Sequence, residues 1–197
     1  TSNISDVDGS LTFTFQWQLS NDSSSFDTNS NISGATSNTF TIPSDQSYVD
    51  KFIKLTAVST DARGGTTTFE TSSQQIINVD DEAIGTLSFD GIVQEGATLT
   101  ADTSNISDVD GSLTFTFQWQ LADDSSSFDT NSNISGATNS TFTIPSDQSY
   151  VDKFIRLTAV STDSRGGTTS FESSSQQVLN IEAVSYTHLR AHETAMY

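Results

Sequence analysis

The thirteen residues SDVDGSLTFTFQW stand at 5–17 and again at 107–119. The identity does not stop there: residues 1–80 align with 103–182 without a gap, and only 12 of the 80 positions differ. Most exchanges are mild, as in Lys54/Arg156, Thr68/Ser170, Thr71/Ser173, Ile76/Val178, Ile77/Leu179, Val79/Ile181 and Asp80/Glu182. A period of 102 residues is too long for a solenoid unit and has the size of an independent domain. The chain therefore reads as a tandem array of globular modules. The segment GTLSFDGIVQEGATLTAD (85–102) precedes the second copy and has no counterpart before the first. A complete module is then 84–183, and residues 1–80 are a module lacking its N-terminal strand or strands. Residues 81–83 are a short acidic linker, and the absence of Gly and Pro around it makes it stiff. The pattern opens within a module at Thr1, with no signal peptide and no initiating Met, which reads as a cut start.

Within each copy the hydrophobic period is 2. Leu113, Phe115, Phe117, Trp119 and Leu121 alternate with Thr114, Thr116, Gln118 and Gln120, the pattern of a strand with one buried face. The first copy repeats it with Leu11, Phe13, Phe15, Trp17 and Leu19. Further strands are predicted at Gly85–Asp90, Ala97–Ala101, Thr141–Ile144, Phe154–Thr162 and Thr168–Glu172. A last one at Gln176–Ile181 is separated from its predecessor by a break or bulge near Ser173–Ser175. The Gly166–Gly167 pair supplies a turn. Seven short strands in a module, with a Trp on the third, match an immunoglobulin-like β-sandwich, so the fold class is all-β, in tandem immunoglobulin-like modules. The aromatic and β-branched content separates the chain from disordered Ser/Thr/Asn-rich sequences.

Charge and missing residue types narrow the function. With 25 Asp+Glu against 7 Lys+Arg the formal charge is −18, which repels nucleic acid and anionic membranes and suits hard cations such as Ca²⁺. Solubility alone is the plain alternative. There is no Cys, hence no disulfide, thiolate metal site or cysteine nucleophile. No apolar run has membrane-spanning length. Residues 184–194, VSYTHLRAHET, resemble an in-frame translation of a sequencing adapter, carry both histidines and have no counterpart in the first copy. We read 184–197 as a non-native tail and set His188 and His192 aside as metal ligands, since one i, i+4 pair is a weak signal. The remaining chain offers no nucleophile–base pair and no phosphate loop, so no enzymatic activity is expected. The Asn-X-Ser/Thr sequons at Asn3, Asn31, Asn105, Asn133 and Asn139 read as chance matches in a Ser/Thr/Asn-rich sequence, and Trp119 reads as core rather than as a sugar platform.

The ordered motifs GTLSFDGIVQEGATLTADTSNISDVDG, FQWQ, ISGAT, FTIPSD, KFIRLTAVSTD and GG resemble the immunoglobulin-like and cadherin-like tandem repeats of large bacterial surface adhesins and calcium-dependent exported proteins. That resemblance implies a non-enzymatic rod outside the cell or on its surface, often rigidified by Ca²⁺. It implies neighbouring repeats of the same chain as partners and a cell-surface glycan or protein as external ligand. A glycan- or protein-binding accessory module of a secreted enzyme is the alternative, and an exposed aromatic row would favour it.

In immunoglobulin strand order, Asp108 and Asp110 fall in the B–C loop, Asp163 in the F–G loop, and Asp80, Asp81 and Glu82 in the linker. They converge at one end of the second module, where a Ca²⁺ ion would relieve their repulsion by taking carboxylate and carbonyl oxygens. Asp45 or Asp50 of the first module could add to the set. Asp6, Asp8 and Asp61 are the equivalent positions of the first copy. The competing reading makes Asp-Val-Asp-Gly an ordinary turn with capping aspartates, or pairs Arg165 with Asp163 or Asp108. The loop is not an EF-hand, because its Gly stands at position 4 and position 12 is not Glu.

Overall fold

In the computed structural model, residues 3–7 and 9–181 are described, so Asp8 and the tail with His188 and His192 lie outside the described residues. The chain divides into two compact units with the boundary between Asp80 and Asp81. No α-helix forms among the described residues.

The first unit contains one antiparallel sheet. Strand β1 (Thr12–Ser20) pairs along its whole length with β2 (Phe52–Thr60), with Trp17 opposite Leu55. Strands β3 (Thr66–Glu70) and β4 (Gln74–Gln75) both pair with the other edge of β2.

The second unit repeats that sheet and adds another. Strands β5 (Ser88–Asp90), β6 (Thr98–Asp102) and β8 (Thr141–Thr143) form a three-stranded sheet in the order β5-β6-β8. Strands β7 (Thr114–Ala122), β9 (Phe154–Thr162), β10 (Thr168–Glu172) and β11 (Gln176–Gln177) form the other sheet, with β9 central. The core draws on both: Phe89 and Leu99 from the first, Trp119, Ile155, Leu157 and Ala159 from the second, with Ile144 and Val178 beside them. Trp119, Leu99, Ile144, Ile155, Leu157 and Val178 are fully buried. The result is an all-β sandwich in which period-2 alternation turns one face of each strand inward.

The first and last strands differ from the expected bounds, each for a local reason, and the expected break near Ser173 is present. The first strand shortens to Ser88–Asp90, because Ile84 exchanges two backbone hydrogen bonds with Ser107 and Gly85 then turns at φ +132°. A Cβ at Gly85 would run into the Asn105 carbonyl, so only glycine fits. The break near Ser173 is a bulge. Glu172 pairs with Thr158 but Gln176 with Ile155, so β9 has two residues between its paired positions and the partner strand three. The Ser173 hydroxyl fills the gap by accepting the Leu157 N–H at 2.9 Å. The last strand ends at Gln177 because the chain then leaves the sheet and runs parallel to the turn of the β5–β6 hairpin, bridging Leu179 to Gln94.

Candidate metal centre

The acidic candidates of the second module lie on loops fixed by the strands. Asp108 and Asp110 precede β7, and Asp163 opens the turn between β9 and β10. Asp108 acts locally, its Oδ1 accepting the Asp110 N–H at 2.7 Å. Gly111 follows at φ +126°, where a Cβ would strike the Ser164 hydroxyl. That hydroxyl donates to the Asp110 carbonyl at 2.9 Å, joining the two loops. Asp163 Oδ1 accepts three N–H groups of its own turn, from Arg165 at 2.6 Å, Gly166 at 2.8 Å and Gly167 at 3.2 Å. These are the capping contacts of the ordinary-turn reading.

Asp110 exceeds that reading. Its side chain is buried, and its Oδ2 reaches out of its own loop to accept the Asp81 N–H at 2.8 Å. Ala83 is tied to the same module through its N–H to the Thr169 hydroxyl at 2.9 Å. Residues 81–83 are thereby stitched to the second module. One carboxylate oxygen from each of Asp80, Asp110 and Asp163 lies within 4.8 Å of the others. Two of the three residues, Asp110 and Asp163, are buried. Asp110 Oδ1 is buried with no hydrogen-bond partner, although buried oxygens are almost always satisfied. Three ionised carboxylates this close repel one another.

Such a set fits a hard cation: three carboxylates close together, backbone carbonyls in the same loops, and one oxygen without a donor. Asp80, Asp110 and Asp163 are the candidates brought together. Asp81 contributes its backbone N–H, Glu82 is exposed, and Asp108 spends its Oδ1 on the turn. In the first module Asp61 caps its own turn, accepting from Arg63 N–H at 2.7 Å and Gly65 N–H at 2.9 Å. Asp6 is exposed there. Asp45 accepts the Ser47 N–H at 3.1 Å and the Ser47 hydroxyl, which hold its carboxyl below its ordinary pKa, the hydroxyl contributing most.

A second acidic feature is an open depression of about 440 Å³ lined by Asp123, Asp124, Asp129, Asn131 and Lys153 among others. Its acids are locally occupied. Asp123 pairs with Lys153 at 3.2 Å. Asp124 is held below its ordinary pKa by the Ser126 N–H and hydroxyl. Asp129 is lowered by the Asn131 side chain first and then by its N–H, in a cap over the 3-10 turn Thr130–Ser132.

Glu95, a buried carboxylate on the hairpin turn, was not among the expected site residues. Its Oε1 accepts the Ile181 N–H at 2.8 Å, and its Oε2 accepts from Gln148. The signal that could have marked it is its place in the one segment the first copy lacks. Comparison with protein-family models, with curated proteins and with solved structures finds no match.

Proposed function

We propose that this chain is a non-enzymatic structural or adhesive segment of an exported bacterial surface protein. It is built of tandem immunoglobulin-like modules, with Ca²⁺ held by Asp80, Asp110 and Asp163. The strand orders β5-β6-β8 and β10-β9-β7 support the immunoglobulin-like reading, corresponding to A-B-E and G-F-C. The observation that carries the cation is the buried, partnerless Asp110 Oδ1 inside a group of three carboxylates. A bound ion would fasten Asp80 to both loops and remove freedom from the linker. A rod of repeated modules needs that restraint more than it needs a catalytic group. The large exposed hydrophobic side chains among the described residues are all aliphatic. In the second module Phe115, Phe117 and Phe171 pack against the core, which gives that module no exposed aromatic row in favour of the accessory-module alternative.

The test is a thermal melt of the whole chain in millimolar Ca²⁺ and in chelator. Occupancy at 100 times Kd stabilises by about 2.7 kcal/mol. A rise in Tm with Ca²⁺, lost in Asp110→Asn, is the expected result. Asp110→Asn keeps an acceptor for the Asp81 N–H, so the readout is the Ca²⁺ increment rather than the absolute Tm. Equal melting in both buffers would leave the three aspartates as turn caps and overturn the calcium reading.

A further inference from the structure

The edge strands of a sheet offer unpaired backbone groups to any matching strand, and proteins normally guard them. Most edges of the second module are guarded. In the sheet β5-β6-β8 the edge strands β5 and β8 are three residues long, and β10 ends in the charged Glu172. Strand β7 is different. It has nine residues, and among the strands it pairs only with β9. From Gly111 to Ala122 no side chain is charged and none is proline.

The phase of the hydrogen bonds shows which groups of β7 are open. On the side away from β9, the Trp119 N–H donates to Ala137 O and the Trp119 carbonyl accepts from the Ile134 N–H, both at 3.0 Å. Backbone groups alternate sides along a strand, so those of Phe115 and Phe117 point the same way as those of Trp119. Among the described residues no backbone partner reaches Phe115 or Phe117 on that side. Strand β7 begins at Thr114, and the 134–137 loop closes the edge at Trp119. What stays open is the stretch 114–118, centred on Thr116. Thr114 and Thr116 are exposed, while Phe115 and Phe117 are half-buried and stacked with centroids 6.2 Å apart. The first module repeats the arrangement. Trp17 bonds Ala35 and Ile32 at 3.0 Å each, leaving Phe13 and Phe15 open around Thr14.

We infer that this edge pairs with the same edge of a second copy of the chain, antiparallel about a two-fold axis through Thr116. A two-fold makes one segment its own partner, and this segment suits itself. Phe115 and Phe117 of one copy exchange backbone hydrogen bonds with Phe117 and Phe115 of the other, so every open group is used. Thr116 meets Thr116 across the axis and each Phe meets a Phe, both favourable cross-strand pairs. Charge favours the same occupant. Two copies at −18 each repel, and an uncharged edge is where they approach with least repulsion. The open stretch is short, so a single pairing is of the weak, transient class. The edge occurs twice per chain, at β7 and at β1, and multivalence strengthens the association. The inference needs no cation and stands apart from the group Asp80, Asp110 and Asp163.

The protein contains no Cys, so introduced cysteines report the register. In this pairing the two Thr116 Cα atoms lie about 4.5 Å apart, within disulfide reach. The two Thr114 Cα atoms lie about 13 Å apart, out of reach. The full chain carrying Thr14→Cys and Thr116→Cys is oxidised in chelator at about 0.5 M NaCl, which screens the like charge of the copies. The expected result is a disulfide-linked dimer, lost when the cysteines are moved to Thr12→Cys and Thr114→Cys. Substituting both modules captures β7–β7, β1–β1 and mixed pairings alike. In sedimentation equilibrium the unmodified chain should gain average mass with concentration. Thr14→Lys with Thr116→Lys should remove that gain, since lysines opposed on the axis repel. Equal cross-linking at both sets of positions, or none at Thr14 and Thr116, would overturn the inference, as would a monomer mass independent of concentration.

Discussion

The two modules differ at few positions yet finish differently. In each, the long strands pair over their full length, Thr12–Ser20 with Phe52–Thr60 and Thr114–Ala122 with Phe154–Thr162, in matching register. The bulge recurs as well, with Thr71 Oγ1 accepting the Leu55 N–H as Ser173 Oγ accepts that of Leu157. Among the described residues the first module holds no counterpart of the β5–β6 hairpin, and residues 39–41 join no sheet. Local alternation and turns are enough for one sheet, but the edge stretch TFT becomes a strand only when a partner supplies the other half of the ladder. Secondary structure at 141–143 is thus a property of the hairpin as much as of its own sequence.

The largest difference between the modules is expected at the tryptophans. Trp119→Ala should destabilise the second module by about 3–5 kcal/mol, the range for emptying a packed aromatic site. Trp17→Ala should cost clearly less, on the order of 1–2 kcal/mol, because part of that surface already faces water. Hydrogen exchange of the β7–β9 and β1–β2 amides reads the two losses separately. Equal losses would mean that the covering hairpin adds little to the core.

Glu95→Ala should have an intermediate effect. It removes the acceptor of the Ile181 N–H and of Gln148 and should cost the second module about 1–3 kcal/mol. The first module should be unmoved. Faster exchange confined to residues 179–181, with the core amides unaffected, would place Glu95 as a local tether instead.

The smallest effect is expected for Lys54→Arg. Arg156 donates to Gln120 at 2.7 Å and to Glu172 at 2.8 Å and lies 4.5 Å from the Phe128 ring centroid. Lys54 reaches Glu70 at 3.0 Å and lies 4.8 Å from the Phe26 centroid. Introducing the guanidinium fork should stabilise the first module by about 0.5 kcal/mol or less, measured as a small rise in its denaturation midpoint. A clear loss would show that Gln18, hydrogen-bonded to Thr56 at 3.0 Å, cannot turn as Gln120 does.

Much of this was legible in the residues. The alternation from Leu113 to Leu121 located β7 to within a residue, the paired glycines marked the turn after Asp163, and the interruption near Ser173 announced the bulge. The places that were not legible depend on partners distant in sequence. Gly85 ends a pairing because Asn105 comes close. Gln176–Ile181 looks like a continuous strand, but residues after Gln177 find better backbone partners on the hairpin turn. For the acidic group, chain order brought six candidates to one end of the module, whereas loop geometry selected Asp80, Asp110 and Asp163. Asp108 was absorbed by its own turn, and Asp81 by its backbone bond to Asp110.

The parallel run of Leu179 beside the hairpin has a mechanical meaning. The Leu179 N–H bonds to Val93 O at 2.9 Å, the Glu95 N–H to Leu179 O at 3.2 Å, and the Ile181 N–H to the Glu95 carboxylate at 2.8 Å. Residues 93–95 are reached from the N-terminal side of the module and 179–181 lead out of its C-terminal side, and the two segments point the same way. Tension drawn through the chain would slide one segment along the other, loading these three bonds together rather than peeling them in turn. In that geometry a short patch can resist a pull out of proportion to its length.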